Sequence, residues 1–287
     1  MWEVRDMAQE RESTSWDRWY AVATSFVAPA TFVGALLFYF GYVSSRAEFS
    51  YFGVDVDTLG LGTRDYVMRS PQALLVPAIL LLLVGGLTAA LLAGLRSGRV
   101  GSRAVRWLRR AGWALCAAGL LLVFGYAGLG DWTWYALVTP LVIAAGAALL
   151  AITGRHRGDP LSVVVLLVLV GAVSTFWATA TLAQLTGRGI AESTARHLED
   201  LPAVVLDTRE SLYLRDEVTQ QQLLLPAGAT AAPTGQTFVY RYYGLRLLAQ
   251  SGDLMFLVPE RWDPSDSTLV FDISDVRVKF RFVNQRP

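Results

Sequence analysis

The run LSVVVLLVLVGAVSTFWATATLAQL at residues 161–185 decides the fold class. It holds no Asp, Glu, Lys, Arg or His. At about 1.5 Å per residue, such a helix outreaches the roughly 30 Å hydrocarbon layer of a bilayer. A helix apolar on every side belongs in a membrane or deep in a large core. Four further stretches read the same way, at about 21–43, 72–95, 112–129 and 134–152, and none carries a charged side chain. The third is the shortest, but Arg109, Arg110 and Asp131 mark its limits.

The remaining composition agrees. Of 287 residues, 53% are hydrophobic and only 17% are charged, where soluble chains carry about 25%. Mean hydropathy is +0.39. The shortage of charge is confined to long blocks, while the last hundred residues have an ordinary globular mix. A disordered chain, a fibrous protein and a simple soluble enzyme are thereby excluded. Cys116 is the only cysteine, so this is no disulfide scaffold. A net charge of +1 gives no global attraction to nucleic acid.

Arginine placement sets the expected orientation, because short cytoplasmic loops are enriched in positive charge. The link between the second and third spans carries Arg96, Arg99, Arg103, Arg106, Arg109 and Arg110 with no acid among them. The link 154–160 adds Arg155 and Arg157, whereas the link between spans three and four holds Asp131 and Trp132 and no cation. The sequence therefore predicts a multi-pass protein of the plasma membrane with a cytoplasmic N-terminal segment, 1–20. A five-helix transmembrane domain follows at 21–186, then an extracytoplasmic domain at 187–287. Trp16, Trp19 and Tyr20 before span one, and Phe38, Tyr39, Phe40 and Tyr42 at its end, fit the two interfacial belts. Span one reads as a retained anchor: its apolar run is too long for a signal peptide, and acids outnumber arginines before it.

The outer loop 44–71 is patterned beyond the needs of a connector. Its aromatic residues fit a segment lying on the membrane surface or on the outer domain. Thr63 is expected to cap a short helix over 64–69, with Pro71 opening span two. After span five, Gly187-Arg188-Gly189 is expected to break the helix, with a second helix over 190–201 closed by Pro202. Period-two patterning then predicts strands at 203–206, 211–215, 238–248, 254–258, 268–273 and 276–283, with a hairpin turn at Ser251-Gly252-Asp253 and a loop at 226–236. The fold class is thus an α-helical integral membrane protein of five transmembrane helices, followed by a small, mostly β (α+β) extracytoplasmic domain.

Signals for chemistry are few. On the last strand Arg277, Lys279 and Arg281 share one face, opposite Val276, Val278, Phe280 and Phe282. They form a candidate ridge for an anionic or phosphate-rich partner. A solvated face or a charged strand edge that resists aggregation is the plainer explanation of them. The outer domain as a whole has 11 Lys and Arg against 13 Asp and Glu, so no general basic field adds to them. On span five, Ser174, Thr175, Thr179 and Thr181 are candidate pore-lining residues in an oligomer, or else helix-packing residues. Asp55-Val56-Asp57-Thr58 matches neither a phosphatase motif nor a metal-binding DxD in context, and reads as a turn or helix cap. Gly60-Leu61-Gly62 lacks the strand and third glycine of a dinucleotide loop. His156 and His197 fall on opposite sides of the predicted membrane, and no G-x-S-x-G elbow occurs. No catalytic residue, metal ligand or cofactor is assigned, and no charge at the bilayer midplane points to a coupled carrier.

With a single lysine beside 24 arginines, the chain looks like the product of a high-GC actinobacterial genome. The block from Tyr51 to Asp55, Leu59-Gly60 and 64–70 resembles the first outer loop of uncharacterised Streptomyces-like multi-span membrane proteins. Residues 240–248, 256–259 and Trp262 resemble their C-terminal extracytoplasmic domain. The resemblance implies topology and source and carries no activity. The expected function is a non-enzymatic membrane protein whose outer domain binds a ligand, an envelope component or another membrane protein, as sensor, scaffold or accessory subunit. The alternative is a self-associating pore lined by span five. The partners expected are the lipid bilayer, a further copy of the chain and an envelope or membrane-protein partner, with no nucleic acid.

Overall fold

The computed structural model describes residues 30–97, 101–125, 128, 132, 134–212, 214, 220–225 and 235–281. The segment 1–20, the start of span one, Arg99, Asp131, most of the loop 226–236 and the end of the last strand lie outside the described residues. The N-terminal part is helical: α1 over 30–51, α2 at Thr63–Arg96, α3 at Ser102–Phe124, α4 at Tyr135–Arg157 and α5 at Leu161–Arg196. Among the described residues, four of these, α2 to α5, are long and apolar enough to cross a membrane. The C-terminal part is an antiparallel sheet of β1 (Ala203–Thr208), β2 (Gln220–Leu223), β3 (Tyr240–Ser251), β4 (Leu254–Pro259), β5 (Leu269–Asp272) and β6 (Arg277–Arg281).

Two helices run through their expected breaks. Instead of a short helix at 64–69 and a new start at Pro71, α2 is continuous, with Pro71 and Pro77 inside it. Proline removes the bond to the carbonyl four residues back, here that of Val67, and the Ser70 hydroxyl donates to that oxygen at 2.7 Å. Asp65 accepts from the Gly62 N–H at 2.8 Å and so closes the first turn, where Thr63 was the expected cap. Likewise α5 passes through Gly187 and Gly189 to Arg196. A glycine costs a helix about 1 kcal/mol, and at Gly187 the tertiary fit outweighs it: a Cβ there would run into the backbone carbonyl of Ser44 on α1. At Gly41 a Cβ would meet the carbonyl of Tyr66 on α2 in the same way. The two glycines bring both α2 and α5 close against α1, where Phe40, Ala73, Ala180 and Ala183 from the three helices form one buried cluster.

Glycines also set the crossing of α3 with α4. A Cβ on Gly112 would stand 2.9 Å from Leu150, and one on Gly146 would stand 2.7 Å from the Cys116 sulfur. At the arginine-rich end, Arg109 at the start of α3 pairs with Asp159 in the α4–α5 link at 3.0 Å. The same link begins α5, whose far end feeds β1. The arginine-rich links and the sheet therefore lie at opposite ends of the helices.

The strands run in the order β5-β4-β3-β1-β6, and β2 pairs with the 240–243 half of β3. The β3–β4 hairpin turns at Gly252, in the left-handed region at φ +55. Residues 211, 212 and 214, expected in a strand, lie in none; the Leu212 N–H is instead held by the Tyr242 hydroxyl at 2.8 Å. One face of the sheet gathers Val204, Leu206, Tyr242, Leu245, Met255 and Leu257. On the other face, Phe256 joins Phe49, Val54, Val56, Leu59 and Tyr66, while Val258 packs with Phe52, Ala191 and Leu198. The 44–71 segment is thus part of the sheet's core, which connects the hydrophobic end of α1 to the last hundred residues. Arg246 fixes the join from β3: its guanidinium donates to the carbonyls of Glu199 at 3.2 Å and Leu201 at 2.9 Å, and pairs with Glu260.

Candidate functional site

The β1 register places the candidate ridge. Asp207 stands opposite Arg241 of β3 on one side and Arg277 of β6 on the other, while Val205 faces Lys279 and Ala203 faces Arg281. Strand alternation puts all of these on one face of the sheet. Asp207 is 1% exposed, beneath Arg241, which grips it with two bonds at 2.6 and 2.9 Å. Such a fork is the strongest arrangement for a carboxylate, and the Arg241 bonds hold the Asp207 carboxyl below the usual aspartate range against the opposing effect of burial. Lys279 reaches the same carboxylate only at 3.9 Å, with more than half its side chain in solvent. Arg277 lies over the Phe238 ring at 4.6 Å, a contact that braces a guanidinium without neutralising it.

Arg277, Lys279 and Arg281 are all exposed, and β6 is an edge strand. The structure brings these three together with Arg241 and Asp207, neither of which the sequence singled out. Only strand pairing reveals them, since Asp207 and Arg241 lie 34 residues apart. The arrangement presents cations in excess over one carboxylate that is already saturated. Its chemistry is attraction of anionic groups.

On α5 the hydroxyls of Thr175, Thr179 and Thr181 bond to backbone carbonyls. Thr175 donates to the Gly171 carbonyl at 2.8 Å and Thr179 to that of Thr175 at 2.9 Å. Ser174, Thr179 and Thr181 are buried. The Thr181 hydroxyl lies 3.1 Å from the Trp177 carbonyl and 3.3 Å from the Ala136 carbonyl on α4. Ala136 is four residues before Pro140, so its oxygen is the one that proline deprives of a helix bond. All of these bonds are made within one chain.

Elsewhere, Asp55 caps the 3₁₀ turn Val56–Leu59 by accepting from the Asp57 N–H at 3.2 Å, and Asp57 accepts from the Tyr42 hydroxyl at 3.3 Å. His197 ends α5, with Nδ1 3.0 Å from the Ser193 carbonyl. Among the described residues no three of His, Cys, Asp and Glu come close enough to hold a metal. Glu48, in the last turn of α1, pairs with Arg69 at 2.9 Å, yet burial pushes its carboxyl above the usual range. The class defined so far is a bundle of long apolar helices carrying a C-terminal antiparallel sheet with a basic face. No family model, curated protein or solved structure matches the chain.

Proposed function

We propose that this chain is a non-enzymatic integral membrane protein that captures an anionic partner through the Arg277–Lys279–Arg281 face of its sheet. In this reading α1 is the first of five spans, the N-terminus is cytoplasmic, and the sheet stands outside the plasma membrane. The membrane assignment is supported by large apolar side chains that face outward along α2, α3 and α5, among them Leu82, Leu121, Phe124, Leu161 and Val173. A water-facing surface does not carry so extended an apolar patch. The orientation is supported by the separation of the arginine-rich links from the sheet along the helices, in keeping with positive-inside placement. The actinobacterial resemblance of the 51–70 and 240–262 blocks fits the same topology.

One observation carries the partner reading. Asp207 is taken up by Arg241, and among the described residues Lys279 reaches only that same carboxylate, at 3.9 Å, while Arg277 and Arg281 enter no ion pair. A chain that needed only a guarded strand edge would not require the Phe238 brace under Arg277. The test is binding of a soluble polyglycerolphosphate chain to the full protein in phosphatidylcholine nanodiscs. Reversal of all three charges, Arg277→Glu, Lys279→Glu and Arg281→Glu, should abolish binding, and added salt should weaken it in the unaltered protein. Equal binding before and after reversal would reduce the ridge to a solvated face.

A further inference from the structure

A groove of about 740 Å³ opens between α1, the first turn of α4 and the sheet-proximal part of α5. Two arginines stand in its wall, Arg46 from α1 and Arg188 from α5. They flank the Ser44–Gly187 crossing, two residues beyond Ser44 and one beyond Gly187. Among the described residues no Asp or Glu lines the groove. Among the described residues none of the ion pairs includes Arg46, and Arg188 meets only Glu192 of its own helix, at 3.4 Å on an open surface. Tyr39, Tyr51 and Gln184 line the same groove and carry hydroxyl and amide groups.

The rest of the wall is of opposite character. Val43, Leu185 and Ala136 are apolar, and Tyr39 stacks on Phe176 at 5.1 Å, continuing the wall along α5. The change from apolar to cationic occurs where the charge-free run of α5 ends, between Leu185 and Arg188. If the helices span a bilayer as proposed above, that is headgroup depth. Guanidinium forks match phosphate oxygens, tyrosines suit the interface, and the volume is that of a small-molecule site. A free phosphate would leave the apolar half of the groove unused.

We propose that the groove holds an anionic glycerophospholipid of the leaflet nearer the sheet, its phosphate between Arg46 and Arg188 and its acyl chains along Val43 and Leu185. The inference rests on the membrane reading and is independent of the β6 ridge. The test is native mass spectrometry of the full chain released from nanodiscs of mixed phosphatidylcholine and phosphatidylglycerol. The unaltered protein should retain phosphatidylglycerol in preference to phosphatidylcholine. Arg46→Gln with Arg188→Gln should cut that retention by about tenfold or more, as expected for loss of charge-assisted bonds. Val43→Trp, which blocks the apolar wall and leaves both arginines in place, should cut it as well. Arg64→Gln, at an exposed position of α2 outside both the groove and the ridge, should leave it unchanged.

Equal retention of the two lipids by a protein that stays inserted would overturn the assignment and leave the membrane reading standing. Retention that survives both the arginine pair and Val43→Trp would also overturn it. Displacement of the lipid by inorganic phosphate would make the groove a site for a free oxyanion, and the lipid assignment would fall.

Discussion

The Thr268 hydroxyl donates to the backbone carbonyl of Phe52 at 2.6 Å, across 216 residues of chain. That bond lies beside the aromatic cluster of Phe52, Tyr51 and Trp262, whose rings meet edge-on or tilted. The segment that follows α1 and the sheet are therefore packed together, and the sheet that carries the ridge is joined to the helices through this contact.

Phe52 and Phe256 are both fully buried in this unit. Phe52→Ala or Phe256→Ala is expected to destabilise the full chain by about 3 to 5 kcal/mol. Limited proteolysis of the nanodisc-embedded protein should then release the C-terminal sheet far faster than in the unaltered chain. Thr268→Val should cost about 1 kcal/mol, the net worth of a single hydrogen bond.

Gly187 and Gly189 make opposite predictions two residues apart. Gly187→Ala should disrupt the α1–α5 crossing, because the new methyl meets the Ser44 carbonyl. A methyl on Gly189 would meet nothing within 4 Å, so Gly189→Ala should raise stability by up to about 1 kcal/mol through helix propensity alone. Thermal unfolding in detergent would show a fall for the first and a small rise for the second.

Asp207 and Glu48 differ in the sign of their charge effects. The Asp207 carboxyl lies below its ordinary range in the folded chain. Its contribution is therefore full above the unfolded aspartate value, about 3.9, and is lost as pH falls through the lower folded value. Asp207→Asn should cost about 2 to 3 kcal/mol at neutral pH, since it leaves Arg241 without its anion. Glu48 is raised by burial, so ionising it opposes folding as pH rises from its unfolded value toward its folded one. Glu48→Gln keeps an acceptor for Arg69 and should leave stability at neutral pH unchanged or slightly higher. Unfolding curves of the two variants at several pH values would separate these signs.

Thr175 and Thr179 bond to their own helix. Thr175→Val with Thr179→Val should shift stability by less than about 1 kcal/mol. It should also leave ion flux through reconstituted liposomes the same as in the unaltered protein. A changed flux would favour a pore lined by α5.

The sequence revealed features set by local patterns and missed those set by contacts between distant residues. The charge-free run 161–185 made a long apolar helix evident, and the alternation around Ser251-Gly252-Asp253 made the β3–β4 hairpin evident. The ends of α2 and α5 were misplaced because Pro71 and Gly187 are breakers by local rule. Ser70 and the Ser44 crossing compensate them, and such contacts have no sequence signature. β2, whose residues 220–222 are all glutamine, has no apolar alternation and exists through its pairing with β3. The β6 cations were visible as a period-two pattern, whereas Asp207 and Arg241 became site residues only through register. Arg46 and Arg188, 142 positions apart in the sequence, share a groove because two helices cross at a glycine.

The central claim is that the sheet stands outside the membrane and the arginine-rich links inside. Substituted-cysteine labelling in intact cells tests it most directly, in a Cys116→Ala background that removes the only native thiol. Ser274→Cys reports from the β5–β6 turn and Ser97→Cys from the α2–α3 link, both at exposed positions. The account predicts that a membrane-impermeant maleimide labels Ser274→Cys at once, and Ser97→Cys only after permeabilisation. Labelling of Ser97→Cys in intact cells, with Ser274→Cys protected, would contradict it.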